Sequence, residues 1–155
     1  MRGKRAPKRK LNADEVYNSE LVAKFINYLM LDGKKSVARS IVYKAIEETA
    51  KNTKTKGMEG LEKAVENVKP KLEIRSRRVG GSNFQVPVPV AANRQLALAL
   101  KWIIQAARDA RKDTEFYIVL ARELTNAYNK EGVAIKKKEE VHRMAEANKA
   151  FAQFA

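Results

Sequence analysis

One stretch of this chain alternates with a period of two while everything around it repeats like helix. It runs from Leu72 to Val90 and reads Leu-Glu-Ile-Arg-Ser-Arg-Arg-Val-Gly-Gly-Ser-Asn-Phe-Gln-Val-Pro-Val-Pro-Val. That pattern predicts a β-hairpin projecting from a helical body. Gly80 and Gly81 supply the positive φ that a two-residue hairpin turn demands, and the turn fixes the register. Val79 then faces Ser82 as a hydrogen-bonded pair, followed by Arg77 with Phe84, Arg75 with Val86 and Glu73 with Val88. Pro87 and Pro89 fall between these pairs, so their missing N–H points to the outer edge and no third strand can join there. An isolated two-stranded ribbon is marginal in water, so this one is expected to lean on helices at its base and on a partner at its tip.

Arg75, Arg77 and Arg78 crowd the first strand with Phe84 across from Arg77, which offers guanidinium and aromatic planes together for phosphates and unstacked bases. Edge strands also carry basic residues simply to discourage aggregation, and the hairpin alone leaves both readings open. Whole-chain charge bears on the choice. Thirty-two Lys and Arg against eighteen Asp and Glu give a net charge of +14 and a pI near 10. Such an excess attracts polyanions, so nucleic acid is the leading partner class and an anionic membrane surface the weaker one. No apolar run approaches the roughly 18 residues of a spanning helix, and no leader pattern is present. With 155 residues and 45% hydrophobic content, residues 1–155 suit one domain around a single core. The lack of cysteine excludes disulfides and thiolate metal sites and suits a cytoplasmic protein.

The fold expected is mainly α: six helices in one domain, with the two-stranded hairpin protruding between the third and fourth. Residues 1–11 contain Arg2, Lys4, Arg5, Lys8, Arg9 and Lys10 and no acid, the composition of an arm disordered when free that is either a tail ordered by RNA or merely a solubilising one, and the whole-chain charge favours RNA. After Ser19, Leu21, Phe25 and Leu29 alternate with Val22, Ile26 and Met30 at helical spacing, and Gly33 is the expected C′ stop. Lys34 and Lys35 fill the turn. Ser36 is the expected cap of a second helix reaching about Lys51 and burying Val37, Ile41, Val42, Ala45 and Ile46. Leu61, Ala64, Val65 and Val68 mark a third, closed by Pro70.

Beyond the hairpin, Asn93 is the expected cap of a long helix to about Lys112, with Leu96, Ala99, Leu100, Ile103, Ala107 and Ala110 inward. Its other stripe holds Arg94, Leu98, Lys101, Gln105, Arg108 and Lys112, four cations with no acid among them. A solvated face would interleave Glu with Lys, as Lys44 and Glu48 do in the second helix, so this stripe is expected to contact nucleic acid. Trp102 is expected to pack where the hairpin base meets this helix. Thr114 caps a fifth helix with Phe116, Leu120, Leu124 and Tyr128 inward, ending near Gly132, and Ile135 to the C-terminus forms a sixth. Lys136, Lys137 and Lys138 lie near its start, where the helix dipole disfavours cations, so a phosphate ligand is a natural reason for them. Arg143 joins the basic set. Val141, Met144 and Ala145 are expected to pack this helix back, with Phe151 and Phe154 over the core.

Nothing in the inventory assembles into an active site. His142, the sole histidine, has no second ligand at metal spacing and reads as an exposed or capped helical residue. Glu47 with Glu48, and Glu139 with Glu140, are adjacent on helices and diverge rather than form an acid-base dyad. Gly80 and Gly81 lack the strand-turn-helix context of a phosphate loop. The expectation is no enzyme, no metal, no cofactor and no small-molecule substrate. Two binding readings stand: an RNA-bound structural protein, and an architectural DNA-binding protein that clasps a groove with a basic β-ribbon. DNA benders typically drive an apolar wedge from the tip of an arm. This tip is glycine, and three arginines with Phe84 suit irregular RNA better.

The stretch Arg78-Val79-Gly80-Gly81, followed by Gln85-Val86-Pro87-Val88, closely resembles the hairpin of the bacterial-type small-subunit ribosomal protein seven family. Met144-Ala145-Glu146-Ala147-Asn148-Lys149-Ala150-Phe151-Ala152 resembles that family's C-terminal signature, and Asp32-Gly33-Lys34-Lys35-Ser36 is a third match. The three lie in order and the likeness spans essentially the whole chain. Members commonly run on to an aromatic-arginine ending, where this sequence reads Gln153-Phe154-Ala155. The resemblance implies six helices with a hairpin between the third and fourth, and a primary binder of small-subunit ribosomal RNA that nucleates assembly of the subunit head. It implies a cytoplasmic, ribosomal place at the subunit interface, beside the exit-site tRNA and the mRNA path, next to the eleventh and ninth small-subunit proteins. Carried onto this chain, the RNA contacts are the arm, Lys34 and Lys35, the hairpin arginines with Phe84, and the basic face of the fourth helix.

Overall fold

The segment Phe116 to Tyr128 is apolar around most of its girth, and a helix of that kind has to be enclosed. The computed structural model describes Gly3 and residues 11–154, the Phe154 side chain excepted, and it encloses that helix on four sides. Helix α5 (Phe116–Tyr128) packs against α2 (Lys35–Thr53), α3 (Glu59–Val68), α4 (Ala92–Asp109) and α6 (Val133–Ala147). Helix α1 (Glu20–Leu29) closes the bundle against α2 and α4. Leu120 and Leu124 of α5 are fully buried and meet Phe25, Ile46, Leu61 and Leu100 in one core. Each such side chain contributes roughly 1.5–3 kcal/mol.

The six helices are those expected from periodicity, but several of their ends are not. Ser19 does cap α1, its hydroxyl accepting from the Leu21 N–H at 3.2 Å. The caps expected of Ser36, Asn93 and Thr114 do not form: α2, α4 and α5 begin from Lys34, Ala91 and Glu115 with no side-chain cap, which leaves Ser36 and Asn93 inside their helices and Thr114 outside α5. At the α1–α2 turn the reason is backbone geometry. Asp32 and Gly33 both hold positive φ, 51° and 72°, in a tight turn after α1 has already ended at Leu29, so Gly33 is a turn residue rather than the helix stop. The turn delivers the chain into α2 ahead of Ser36, and it leaves Val37 exposed with Ala38 buried in its place.

Helix α4 stops at Asp109, so Ala110 is exposed and Lys112 lies in the α4–α5 connection, off the helix it was expected to share with Arg108. Helix α6 ends at Ala147 and a 3₁₀ turn covers Lys149–Phe154. Met144 is exposed rather than packed back. Phe151 sits not over the helical core but on the hairpin, its ring centroid 5.2 Å from that of Phe84; the Phe154 side chain lies outside the described residues. The hairpin base accordingly rests on α6 and the 3₁₀ turn, while Trp102 is half-buried against the helical core.

Strands β1 (Leu72–Val79) and β2 (Ser82–Pro89) pair antiparallel in the expected register, with Val79 opposite Ser82, Arg77 opposite Phe84, Arg75 opposite Val86 and Glu73 opposite Val88. Gly80 and Gly81 turn the chain at φ 57° and 93°. Just below the ladder the Val90 N–H donates to the Lys71 carbonyl at 3.0 Å. Hydrogen-bonded pairs recur at every second residue, so this bond puts Glu73, Arg75, Arg77 and Val79 in the same class. Pro87 and Pro89, opposite Ile74 and Leu72, then face outward, where the missing N–H removes no ladder bond.

Candidate nucleic-acid interface

At the hairpin base Val86 and Pro87 are buried, whereas β1 is exposed from Arg75 to its end. Glu73 sits in the buried part. Its Oε1 accepts from Arg75 Nε at 2.9 Å and lies 2.7 Å from Nη2 in the same ion pair, and its Oε2 accepts from Arg94 Nε at 3.2 Å. Burial alone would raise this carboxyl, but the hydrogen bonds and charges of the two arginines outweigh it and hold the pKa below the usual range. One carboxylate thus ties the start of β1 to the start of α4. Farther out, Arg77 and Arg78 are exposed on opposite faces of the ribbon and make no ion pair among the described residues. Phe84 is half-buried with Phe151 against it, so part of the ring expected to stack on bases is taken up within the protein.

A second anchor holds the segment that enters β1. His142 is half-buried, and its Nε2 accepts from the Lys71 N–H at 3.0 Å. Burial, with the Lys138 and Lys71 ammonium groups nearby, pushes its pKa down and favours the neutral form this bond requires. The histidine therefore serves as an acceptor between α6 and the hairpin.

The stripe on α4 differs from its expected form. Arg94 is paired with Glu73, and Gln105 donates to Asp109, an acid one turn along. Arg108 reaches away from solvent and donates through Nη2 to the Leu29 carbonyl at 3.1 Å, satisfying a C=O in the last turn of α1. Lys101 alone keeps the expected form, exposed and without an ion pair among the described residues. Contacts distant in sequence hold Arg94 and Arg108, the neighbouring Asp109 holds Gln105, and the helix ends before Lys112.

The lysines of α6 also divide. Lys136 is exposed, Lys137 pairs with Glu140 at 2.7 Å, and Lys138 donates to the Asn67 carbonyl at 2.6 Å in the last turn of α3. A helix C-terminus needs such a donor, so Lys138 has a reason within the protein and no phosphate is required to explain it. Burial lowers its pKa accordingly. The N-terminus of α6 is served by Glu123, whose Oε1 accepts from the Ala134 N–H at 2.9 Å. Gly132, at φ 92°, lies so close to this carboxylate that a Cβ there would stand 2.9 Å from Oε1. Burial nonetheless raises the Glu123 carboxyl.

Of the other expected contacts, Lys34 and Lys35 are exposed at the start of α2, and Arg143 is exposed on α6. Lys34 and Arg108 share the wall of a cleft of about 410 Å³ with Leu31, Val37 and Phe116. Arg2, Lys4, Arg5, Lys8, Arg9 and Lys10 lie outside the described residues. Among the described residues no acid or histidine cluster is arranged to hold a metal ion, and no helix is long and apolar enough to cross a membrane. What the surface offers chemically is cation presentation from a fixed frame.

Residues 1–149 match the family described as ribosomal protein S7p/S5e. The chain belongs to that family. Proteins named small ribosomal subunit protein uS7 from Thermosipho melanesiensis and Nautilia profundicola are each 54% identical to it over 99% of both chains. A protein of the same name from Desulfatibacillum aliphaticivorans is 53% identical over 99% of this chain and 97% of its own. S7p/S5e proteins are structural parts of the small ribosomal subunit and not enzymes. In this S7p/S5e chain the residue that sequence reasoning left without a role is Glu73. Its signal was available: it is the single acid between Leu72 and Val90, set among arginines on the face that also carries Val86.

Proposed function

We propose that the chain is a primary binder of small-subunit ribosomal RNA that helps nucleate assembly of the subunit head. The observation that carries this reading is Arg77 and Arg78, exposed on the far half of a ribbon whose base is fixed to α6 and α4. A cation held on a rigid element has less freedom to lose when a phosphate arrives. Lys34, Lys35, Lys101, Lys136 and Arg143 extend the same surface over several elements. The mechanism is physical: dispersed basic groups hold RNA helices in one mutual orientation, and counterion release offsets the entropy lost in ordering the junction. The family supports a cytoplasmic ribosomal setting at the subunit interface, with the hairpin reaching toward the exit-site tRNA beside the mRNA path and with the eleventh and ninth small-subunit proteins as neighbours.

A filter-binding titration against fragments of small-subunit ribosomal RNA tests this across a salt series. Each phosphate contact is expected to add about 0.7 to 0.9 to the log-log slope. Lys101→Glu is expected to weaken binding by about 1 to 2 kcal/mol with unchanged circular dichroism. An affinity that does not change with salt, or duplex DNA bound as tightly as structured ribosomal RNA, would overturn the reading.

A further inference from the structure

We propose that Arg75 and Arg94 form a clamp for a single RNA phosphate, held in gripping position by Glu73. The clamp rests on the RNA-binding reading and refines it. The two guanidiniums come from different elements, β1 and α4, and meet only because each is bound to one oxygen of the same carboxylate. Glu73 uses the Nε/Nη2 edge of Arg75 and the Nε of Arg94. Among the described residues nothing takes up the Nη1/Nη2 edge of either guanidinium, and the two side chains are 64% and 57% exposed. That end-on edge matches a phosphate bidentately.

The charge count points the same way. One carboxylate neutralises one arginine, so the triad keeps a surplus positive charge on its solvent side. Fastening β1 to α4 would need only Arg94, so Arg75 adds a charge that the fastening does not use. Burying the carboxylate at 8% exposure makes sense as orientation: its two oxygens set the guanidiniums side by side before RNA arrives. Glu73 is therefore a positioning residue, and the arginines are the contacts.

The test measures binding of the full chain to a small-subunit ribosomal RNA fragment across a salt series. Glu73→Gln is expected to weaken binding about tenfold although it removes a negative charge, because the pair is no longer held in place. The double variant Arg75→Ala with Arg94→Ala is expected to reduce the salt slope by about 0.7 to 0.9, the share of one phosphate. Adding Glu73→Gln to that double variant is expected to change nothing more. Tighter or equal binding by Glu73→Gln, a slope loss worth two phosphates, or a Glu73 effect that persists without both arginines would each overturn the clamp. If Glu73→Gln fails to fold by circular dichroism, the arginine variants decide: a double loss smaller than the product of the single losses supports a shared phosphate, and independent losses overturn it. A wild-type protein that does not bind the fragment overturns the RNA reading, whereas wild-type binding with unaltered variants overturns the clamp alone.

Discussion

The two halves of the hairpin share one ladder and one turn but do opposite work. The base buries Val86 and Pro87, is tied to α4 through Glu73 and to α6 through His142, and rests on the 3₁₀ turn. The far half carries Arg77, Arg78 and Val79 in solvent, and it meets the body through Phe84, half-buried on Phe151 of the 3₁₀ turn. Substitution at the base therefore ought to register as lost stability, and substitution at the tip as lost binding. Charge alone does not distinguish them, since arginines occur in both; what differs is whether a partner already sits in the fold.

Paired truncations of one residue type give the sharpest break. Val86→Ala removes fully buried methyl groups and is expected to cost about 2 kcal/mol, read as a shift in denaturant midpoint. Val79→Ala, at a residue 40% exposed, is expected to stay within about 0.5 kcal/mol. Similar losses from the two would erase the distinction.

A smaller effect belongs to His142. Its pKa is lower in the folded chain than the usual 6.5, so on acidification the unfolded chain takes up the proton first. The stability it contributes is therefore fully present above pH 6.5 and declines as pH falls through the window below that value, toward the depressed folded pKa. His142→Ala is expected to cost about 1 kcal/mol at neutral pH through the unpaired Lys71 N–H and to flatten this part of the curve. Denaturation at a series of pH values between 7.5 and 5.5 checks both; a wild-type curve as flat as the variant's would remove histidine from the anchor.

The smallest effect on stability is expected where the effect on binding is large. Arg77→Ala with Arg78→Ala is expected to leave the melting transition within about 0.5 kcal/mol of wild type while lowering both RNA affinity and salt slope. Melting and filter binding on one preparation show whether the tip is free of structural duty.

The same division explains what could be read from the sequence. The hairpin register followed from two glycines and a period of two, and the buried stripes of α1, α3 and α5 followed from spacings of three and four, because these signals are local. Helix starts at Ser36, Asn93 and Thr114 were misplaced because capping chemistry was present without the backbone turn that would use it. The basic stripe of α4 was legible as a row of residues but not as a surface. Arg94, Arg108 and Lys138 find their partners at Glu73, Leu29 and Asn67, far away in sequence, and no periodicity announces such pairings. Among the described residues Arg77, Arg78 and Lys101 have no such partner, and all three are exposed.

The ring contact between Phe84 and Phe151 has a consequence in time. During synthesis β2 is complete while α4, α5 and α6 are still to come, so the ribbon emerges before the elements it leans on, and an isolated two-stranded ribbon is marginal in water. The aromatic that settles on Phe84 is translated much later, after the last helix. Since chains fold from the N-terminus as they emerge, the ribbon waits for α6 and the 3₁₀ turn before it can seat, and its final seating is expected among the latest steps of maturation. A chain interrupted before Phe151 would keep the ties of the hairpin base to α4 and α6 but lack the ring that covers Phe84.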